Sequence, residues 1–431
     1  MNSNLQNNKF KRNFLIYFIL LFIFFSNVFV FKHKIIFLID DYFVFKNLHK
    51  PTDRFSRIVE KFKIDYQKKN LKKNLLVSET GNFKIKYFSL PNEIGEIRPV
   101  GYVSLFNNNL IYASGAGNFF KFKFDSENNL ESPVKISNNL FNIIDKNNYE
   151  EEIFWNIPIR DTLIIDNFLY ISAVLKKKIL NTKDKFKYSS VILRAKLDDN
   201  LDFLRFSIFF QTSETIEAYT PDLSHGGGRM VNYKDKKLLF IIPEYGHEEL
   251  SQNSISIYGK SILIKINDPY DYEIFTSGHR NSQGLLYDKE KDIIINSEHG
   301  PMGGDELNIL IKGQNYGWPL TYFGTNGRDV IAKDHSNLNF TKPIFIWNDN
   351  PGSSQIIKCK DNEYFLSSLS GIRGKQIYRF TIKDNKASIT DSIYIGDRVR
   401  DLIYLKQKNL LIGVIENSKN IFKINLESAC K

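Results

Sequence analysis

"QGLLYDKEKDIIINSE…ELNILI" (residues 283–311) places two short apolar runs around a charged turn, then returns with a third run. Runs this short, rich in β-branched residues and broken by Asp, Lys and Gly, read as antiparallel strands and not as helix. The same unit recurs along the chain. "GYVSLFNNNLIYASG…FFKFKF" (101–124), "DTLIIDNFLYISAVL…SVILRAKL" (161–197) and "GRMVNYKDKKLLFIIPE…SILIKI" (228–266) precede it. "SQIIKCKDNEYFLSSL…QIYRFTI" (354–382) and "RDLIYLKQKNLLIGVIE…NIFKIN" (400–425) follow it. Six blade-sized copies predict an all-β fold, a six-bladed β-propeller over residues 79–431, with inner strands converging on a central channel. A sandwich does not explain why a third strand keeps returning after its own hairpin.

Composition agrees with one large β domain. The chain has 431 residues, 42% of them hydrophobic and 14% aromatic, enough for a sizeable core. Its net charge of +11 is carried by Lys scattered among Asn. A nucleic-acid binder gathers such charge on one helix or stripe, and none is present, so no nucleic-acid partner is expected. The two cysteines, Cys359 and Cys430, lack the spacing of a metal site, and a structural disulfide is possible but not indicated.

The N-terminus carries a different signal. Lys9, Lys11 and Arg12 precede "FLIYFILLFIFFSNVFVF" (14–31), which only Ser26 and Asn27 interrupt. That is about the minimum length of a membrane-spanning helix, and it ends in bulky aromatics and Lys32 instead of a small-residue cleavage site. The sequence therefore predicts an uncleaved single-pass anchor with its N-terminus in the cytoplasm and the propeller on the periplasmic or extracellular side of the cell membrane. Residues 1–45 form the stub, anchor and juxtamembrane segment, and residues 46–78 a linker.

The repeat also sorts the unusual residues. "SHGGGR" (224–229), "GHRNSQG" (278–284), "NPGSS" (350–354) and "GDRVRD" (396–401) each precede the first strand of a copy. "SEHGPMGGDELN" (297–308) follows a second strand. Both kinds of connection lie at the same end of an up-and-down blade. His225, Arg280, Asn281, His299, Arg398 and Arg400 are therefore expected at one mouth of the propeller, near its axis. A neutral imidazole such as that of His225 suits a general base near neutral pH. Converging guanidiniums suit a ligand with several carboxylates. Asp397 and Asp401 flank two of them, which leaves blade-to-blade ion pairs as the alternative. The main-chain carbonyls of Gly300 and Pro301 suit a hard cation such as Ca²⁺. Asp305 and Glu306 are expected to hold that turn or a structural ion. No EF-hand, zinc or Walker pattern occurs.

"GHRNSQGLLYD", "SEHGPMGGDELN", "KGQNYGWP" and "RVRDL", in that order, resemble the PQQ-dependent glucose/sorbosone (soluble aldose sugar) dehydrogenase family of six-bladed propellers. "SHGGGRM" is similar to that family's catalytic His motif. The resemblance is dense from about residue 225 to 320, thinner to 425 and weak before 220. It implies a quinoprotein oxidoreductase acting on a sugar hydroxyl, with PQQ and Ca²⁺ as cofactors and an electron acceptor that the sequence does not name. Residue by residue, it implies that His225 takes the hydroxyl proton while a hydride passes to the quinone. Arg280 and Asn281 would contact the cofactor, with Arg280 stabilising developing negative charge. His299 would lie against PQQ, Arg398 and Arg400 would grip its carboxylates, and the Gly300 and Pro301 carbonyls would hold the Ca²⁺. Ser370 stands at a cofactor-binding position where the family carries Lys, with Arg373 and Lys375 as substitutes in the same loop. Trp155 and Asn156 stand near the place of a family Gln. Two other readings remain: a non-catalytic propeller that binds a glycan or protein partner, and a lactonase-like hydrolase. The second is disfavoured because these loops supply Arg and His where such a site needs several carboxylates or Asn.

Overall fold

In every repeat, the turn between the first two strands holds one residue in the left-handed region. These are Asn107 (φ 52°), Asp166 (52°), Lys236 (57°), Asp292 (55°), Asn362 (55°) and Asn409 (52°). Five of the six are Asn or Asp, whose short polar side chains tolerate that conformation best after Gly. The turn reverses the chain tightly, and the β-branched runs on either side pair as antiparallel strands. In the fourth repeat, for example, Leu286 faces Ile295 and Ser282 faces Glu298.

The computed structural model describes residues 78–80, 83–91, 100–145, 159–178, 186–218, 226–234, 236–301, 303–324, 338–347, 350–370 and 374–426. The expected anchor (14–31), nearly all of the expected linker, and Trp155, Asn156, His225 and Arg373 lie outside them. Among the described residues, no helix is long and apolar enough to cross a membrane.

Among the described residues six sheets form the blades, antiparallel except where Phe203–Leu204 pairs in parallel with Val134–Asn138. Their innermost strands are Gly101–Phe106, Ile159–Ile165, Met230–Tyr233, Ser282–Asp288, Ser353–Lys360 and Val399–Leu405. Each touches the next, and the last touches the first, which closes a ring. The core is partitioned to match. Six hydrophobic clusters each span two adjacent blades. Between blades four and five, Ile295 and Leu307 meet Ile356, Leu366 and Phe380. Between two and three, Tyr170 and Ile192 meet Phe240 and Ile262. Each fully buried side chain of this size contributes about 1.5–3 kcal/mol, so the blades are held face to face by apolar burial.

The expected six-bladed propeller is therefore present, with one feature that the repeats did not disclose. The N-terminal strand Phe83–Ser89 pairs with Asn420–Asn425 of blade six, Ile85 facing Ile424 and Tyr87 facing Phe422. The two ends of the domain thus share one sheet. Cys359, buried between blades five and six, is disulfide-bonded, a pairing that the sequence did not indicate. The chain's other cysteine, Cys430, lies outside the described residues.

Candidate active site

Blade four supplies the centre of the site. Arg280 and Asn281 end the connection into strand Ser282–Asp288, and His299 begins the one that leaves Ile293–Glu298. A buried relay behind them fixes the backbone. His279 is fully buried, its Nδ1 3.0 Å from Glu298 Oε2 and its Nε2 2.8 Å from the Thr276 hydroxyl. The other Glu298 oxygen accepts the Arg280 backbone N–H. The Arg280 guanidinium then lies 5.2 Å over the Trp318 ring and donates to the carbonyls of His299 (3.2 Å) and Gly300 (3.1 Å). This gives the "NYGW" segment its part in the site: it stacks on the arginine.

His299 is held as a neutral ring. Its Nε2–H donates to the Ser353 carbonyl at 2.7 Å, which leaves Nδ1 to face the Asn281 amide at 3.4 Å. Burial, and then the nearby charges of Arg400, Arg280 and Arg398, push its pKa down to about 3 against the pull of the Ser353 carbonyl. Asn281 in turn accepts from Gln283 Nε2 at 2.7 Å, and Gln283 Oε1 accepts from Arg400 Nη1 at 2.9 Å. One polar chain therefore links His299, Asn281, Gln283 and Arg400 across blades four and six.

Arg398 directly precedes strand Val399–Leu405 and Arg400 sits at the bulge near its start, and both side chains reach one carboxylate. Their partner is Glu416, which follows the second strand of blade six and is 1% exposed. The two Nε–H groups donate to its two oxygens, Arg398 to Oε2 and Arg400 to Oε1. Burial alone would raise this carboxyl, but the two guanidiniums outweigh it and hold it at about 2. The acids that flank the arginines in sequence do something else. Asp397 accepts the Arg398 and Ser418 backbone N–H groups and the Asn417 amide. Asp401 turns to the axis.

There it meets Arg229. This side chain is 2% exposed, and its Nη1 lies 2.9 Å from Asp161 and 2.8 Å from Asp401. Its Nε donates to the Gln283 carbonyl (2.7 Å) and its Nη2 to the Arg400 carbonyl (3.0 Å). The two acids complete the knot by accepting the backbone N–H of Met230 (2.7 Å) and Val103 (2.9 Å). Blades one, two, three, four and six are joined at this one guanidinium. Burial raises the Asp161 carboxyl to about 6 although Arg229 opposes it.

The glycines beside His225 have a packing reason. A Cβ on Gly226 would fall 2.3 Å from the Arg160 guanidinium carbon, and one on Gly227 would fall 2.2 Å from the Ser282 carbonyl oxygen. Arg160 itself lies within the field of Arg400 and Glu416, which adds a fourth arginine to this mouth. In the turn after His299, Asp305 accepts the N–H of Gly300 (3.2 Å) and of Ser353 (2.8 Å), so it holds the turn as expected and also ties it to blade five. Burial pushes this carboxyl up to about 7 against those bonds. Glu306 also rises, chiefly by burial and then by Glu298. Pro301 lies half-buried in the same turn. The Ser370 N–H donates to the Pro351 carbonyl at 2.9 Å, one residue beyond the Leu369 carbonyl that Arg398 reaches at 3.3 Å.

Of the residues expected together, Arg280, Asn281 and His299 are linked by hydrogen bonds, and Gln283 and Glu416 connect them to Arg400 and Arg398; His225 lies outside the described residues. Glu416, Gln283, Arg160 and the His279–Glu298 pair were not among the expected site residues. Arg229 stood in a quoted motif without a role. Local alternation could not show that Asp401 turns away from its arginine neighbours, because the strand bulges between Val399 and Asp401.

Comparison with known proteins agrees with this architecture. Residues 166–422 match the sequence profile of the family described as Glucose / Sorbosone dehydrogenase. The chain is 29% identical over 241 residues to the aldose sugar dehydrogenase YliI of Escherichia coli, covering 49% of this chain and 63% of that one. The chain spans about half the length of the curated relatives it matches. The crystal structure of the apo soluble aldose sugar dehydrogenase of E. coli superposes with a TM-score of 0.60 at 19% identity, over 79% of this chain and 99% of that one. The PQQ-bound aldose sugar dehydrogenase of Streptomyces coelicolor superposes at 0.56 and 18% identity, over 81% and 99%. These structures share the fold, and the profile covers more than half of the sequence. The chain belongs to the glucose/sorbosone dehydrogenase family.

Proposed function

We propose that the protein is a PQQ- and Ca²⁺-dependent dehydrogenase of aldose sugars, anchored through residues 14–31 with its propeller outside the cytoplasmic membrane. One observation carries the reading. In a member of this family, the guanidiniums of Arg280, Arg398 and Arg400, the Asn281 amide and a neutral His299 converge on one mouth. A flat quinone bearing several carboxylates is a ligand that this donor set fits. When bound, PQQ supplies the hydride acceptor. Arg398 and Arg400 would hold its carboxylates. Arg280, aimed by Glu298 and Trp318, would stabilise negative charge that develops in the reaction. Asn281 and His299 would set the orientation, and Ser370 would close the blade-five side. His225 would accept the sugar hydroxyl proton. The Gly300 and Pro301 carbonyls would hold Ca²⁺. The disulfide at Cys359 supports a location in an oxidising compartment.

The test uses the full chain purified in detergent. PQQ is titrated with and without Ca²⁺, and dye reduction is followed with a panel of aldoses. Binding at micromolar PQQ, turnover with an aldose, and loss of both in a chelator are expected. No PQQ binding at micromolar concentration overturns the reading. His225→Ala is expected to abolish turnover while PQQ still binds; turnover that survives would assign the proton to another base. Glycan binding that ignores PQQ would favour the non-catalytic alternative.

A further inference from the structure

Arg398 and Arg400 are two like charges at the start of one strand that share one carboxylate, and each would repel the other from a shared ligand. The structure resolves this with a single carboxylate. Glu416 sends one oxygen to each Nε–H, so both guanidiniums are gripped from the stem side. A second acceptor then fixes each head: the Leu369 carbonyl for Arg398 at 3.3 Å and Gln283 Oε1 for Arg400 at 2.9 Å. Exposure shows which group faces the mouth. The arginine side chains are 24% and 12% exposed and the Glu416 side chain 2%. The carboxylate stands behind the arginines and leaves their outer edges toward the ligand side.

We propose that Glu416 is a positioning residue, a buried carboxylate that locks both arginines at Nε and so presets the geometry in which they meet an anionic ligand. The identity of that ligand as PQQ rests on the function proposed above; the lock does not. Two opposite expectations separate the lock from a simple charge effect. If Glu416 only diluted the positive charge, its neutralisation would tighten binding of an anion. If it presets the arginines, neutralisation frees two flexible, mutually repelling side chains, and binding weakens because their ordering must then accompany it.

The test compares the full-length wild type with Glu416→Gln and Glu416→Asp, titrated with PQQ in Ca²⁺ at low and at high salt. Binding by Glu416→Gln is expected to weaken about tenfold or more. Glu416→Asp keeps the charge, and is expected to restore part of the affinity. Tighter or unchanged binding by Glu416→Gln overturns the lock. A second measurement needs no ligand. In ¹⁵N-arginine-labelled protein, the Nε–H signals of Arg398 and Arg400, assigned by Arg398→Lys and Arg400→Lys, are expected to be protected from solvent exchange. Protection should vanish in Glu416→Gln while the signals of other buried arginines persist, which also shows that the variant is folded. If wild type fails to bind PQQ, the proposed function falls while the exchange measurement still decides the lock. Unprotected Nε–H signals in wild type would overturn it.

Discussion

Glu416 should be visible in the acid stability of the protein as well as in ligand binding. Its folded pKa of about 2 lies below the ordinary value of 4.5. The native state therefore binds fewer protons than the unfolded chain between those limits. The stabilisation this group contributes is complete above about pH 4.5 and is lost as pH falls toward 2, roughly 3 kcal/mol in all at 1.36 kcal/mol per unit. Urea midpoints measured from pH 6 to 2.5 are expected to fall less steeply in Glu416→Gln than in wild type. Parallel curves would mean that the carboxyl is not held down. Gly227 makes a second single-residue case. A Cβ there meets backbone, the Ser282 carbonyl oxygen at 2.2 Å, so Gly227→Ala must shift the junction of blades three and four. A loss of about 1–3 kcal/mol is expected, as for overpacked interiors. Gly313, at φ +80° with nothing within 4 Å, provides the comparison: Ala there costs only the left-handed strain, about 1–2 kcal/mol, and leaves ligand binding untouched. At this scale the sequence disclosed the site unevenly. Residues that border a strand could be assigned to a mouth by counting strands. Glu416 could not be paired with its arginines that way, because its nearer rivals Asp397 and Asp401 are excluded only by the direction each side chain takes.

Five of the six inner strands are tied at their ends through Arg229. Its partners Asp161 and Asp401 lie 68 and 172 residues away, so no local pattern announces the pairing. In the sequence this arginine stands in a quoted motif with no role assigned to it. Folding gives it four side-chain hydrogen bonds, and the Gln283 and Arg400 carbonyls that it holds belong to residues of the candidate site. Removing one partner from such a group leaves buried charge without compensation. Arg229→Met is therefore expected to cost about 3–5 kcal/mol, measured as a fall in the urea midpoint. The triple change Arg229→Met, Asp161→Asn, Asp401→Asn removes all three charges together and is expected to recover part of that loss. A single variant as stable as wild type would mean that water reaches the two carboxylates, contrary to their burial at 3% and 2% exposure.

The repeated hairpin was legible because its physics is local: an apolar run, an Asn or Asp able to turn left-handed, and a second apolar run. The outer strands were not. Lys386–Tyr394, at the edge of blade five, buries only two of its nine residues, so its sequence resembles any polar loop. The closing strand was hidden for a further reason. "FKIKYFS" alternates like other strands, but its partner lies more than three hundred residues away, and only the ring explains their pairing. That pairing carries a prediction about the whole molecule. Without Phe83–Ser89, the strand Asn420–Asn425 becomes an open edge, a template for pairing with another chain. The apolar side chains of Ile85, Tyr87 and Phe88 also leave the blade-six clusters. The sheet that loses them includes Val399–Leu405, the strand that carries Arg400 and that Arg398 directly precedes. A chain beginning at residue 90 is therefore expected to associate and to lose PQQ affinity together with its stability. One beginning at residue 78 keeps all five strands of that sheet and is expected to keep the association state of the full chain and to bind. Size-exclusion profiles, urea midpoints and PQQ titrations of the two truncations make the comparison. If the shorter chain keeps that association state with an unchanged midpoint, the ring closes without its N-terminal strand, and the arginines owe their placement to blade six alone.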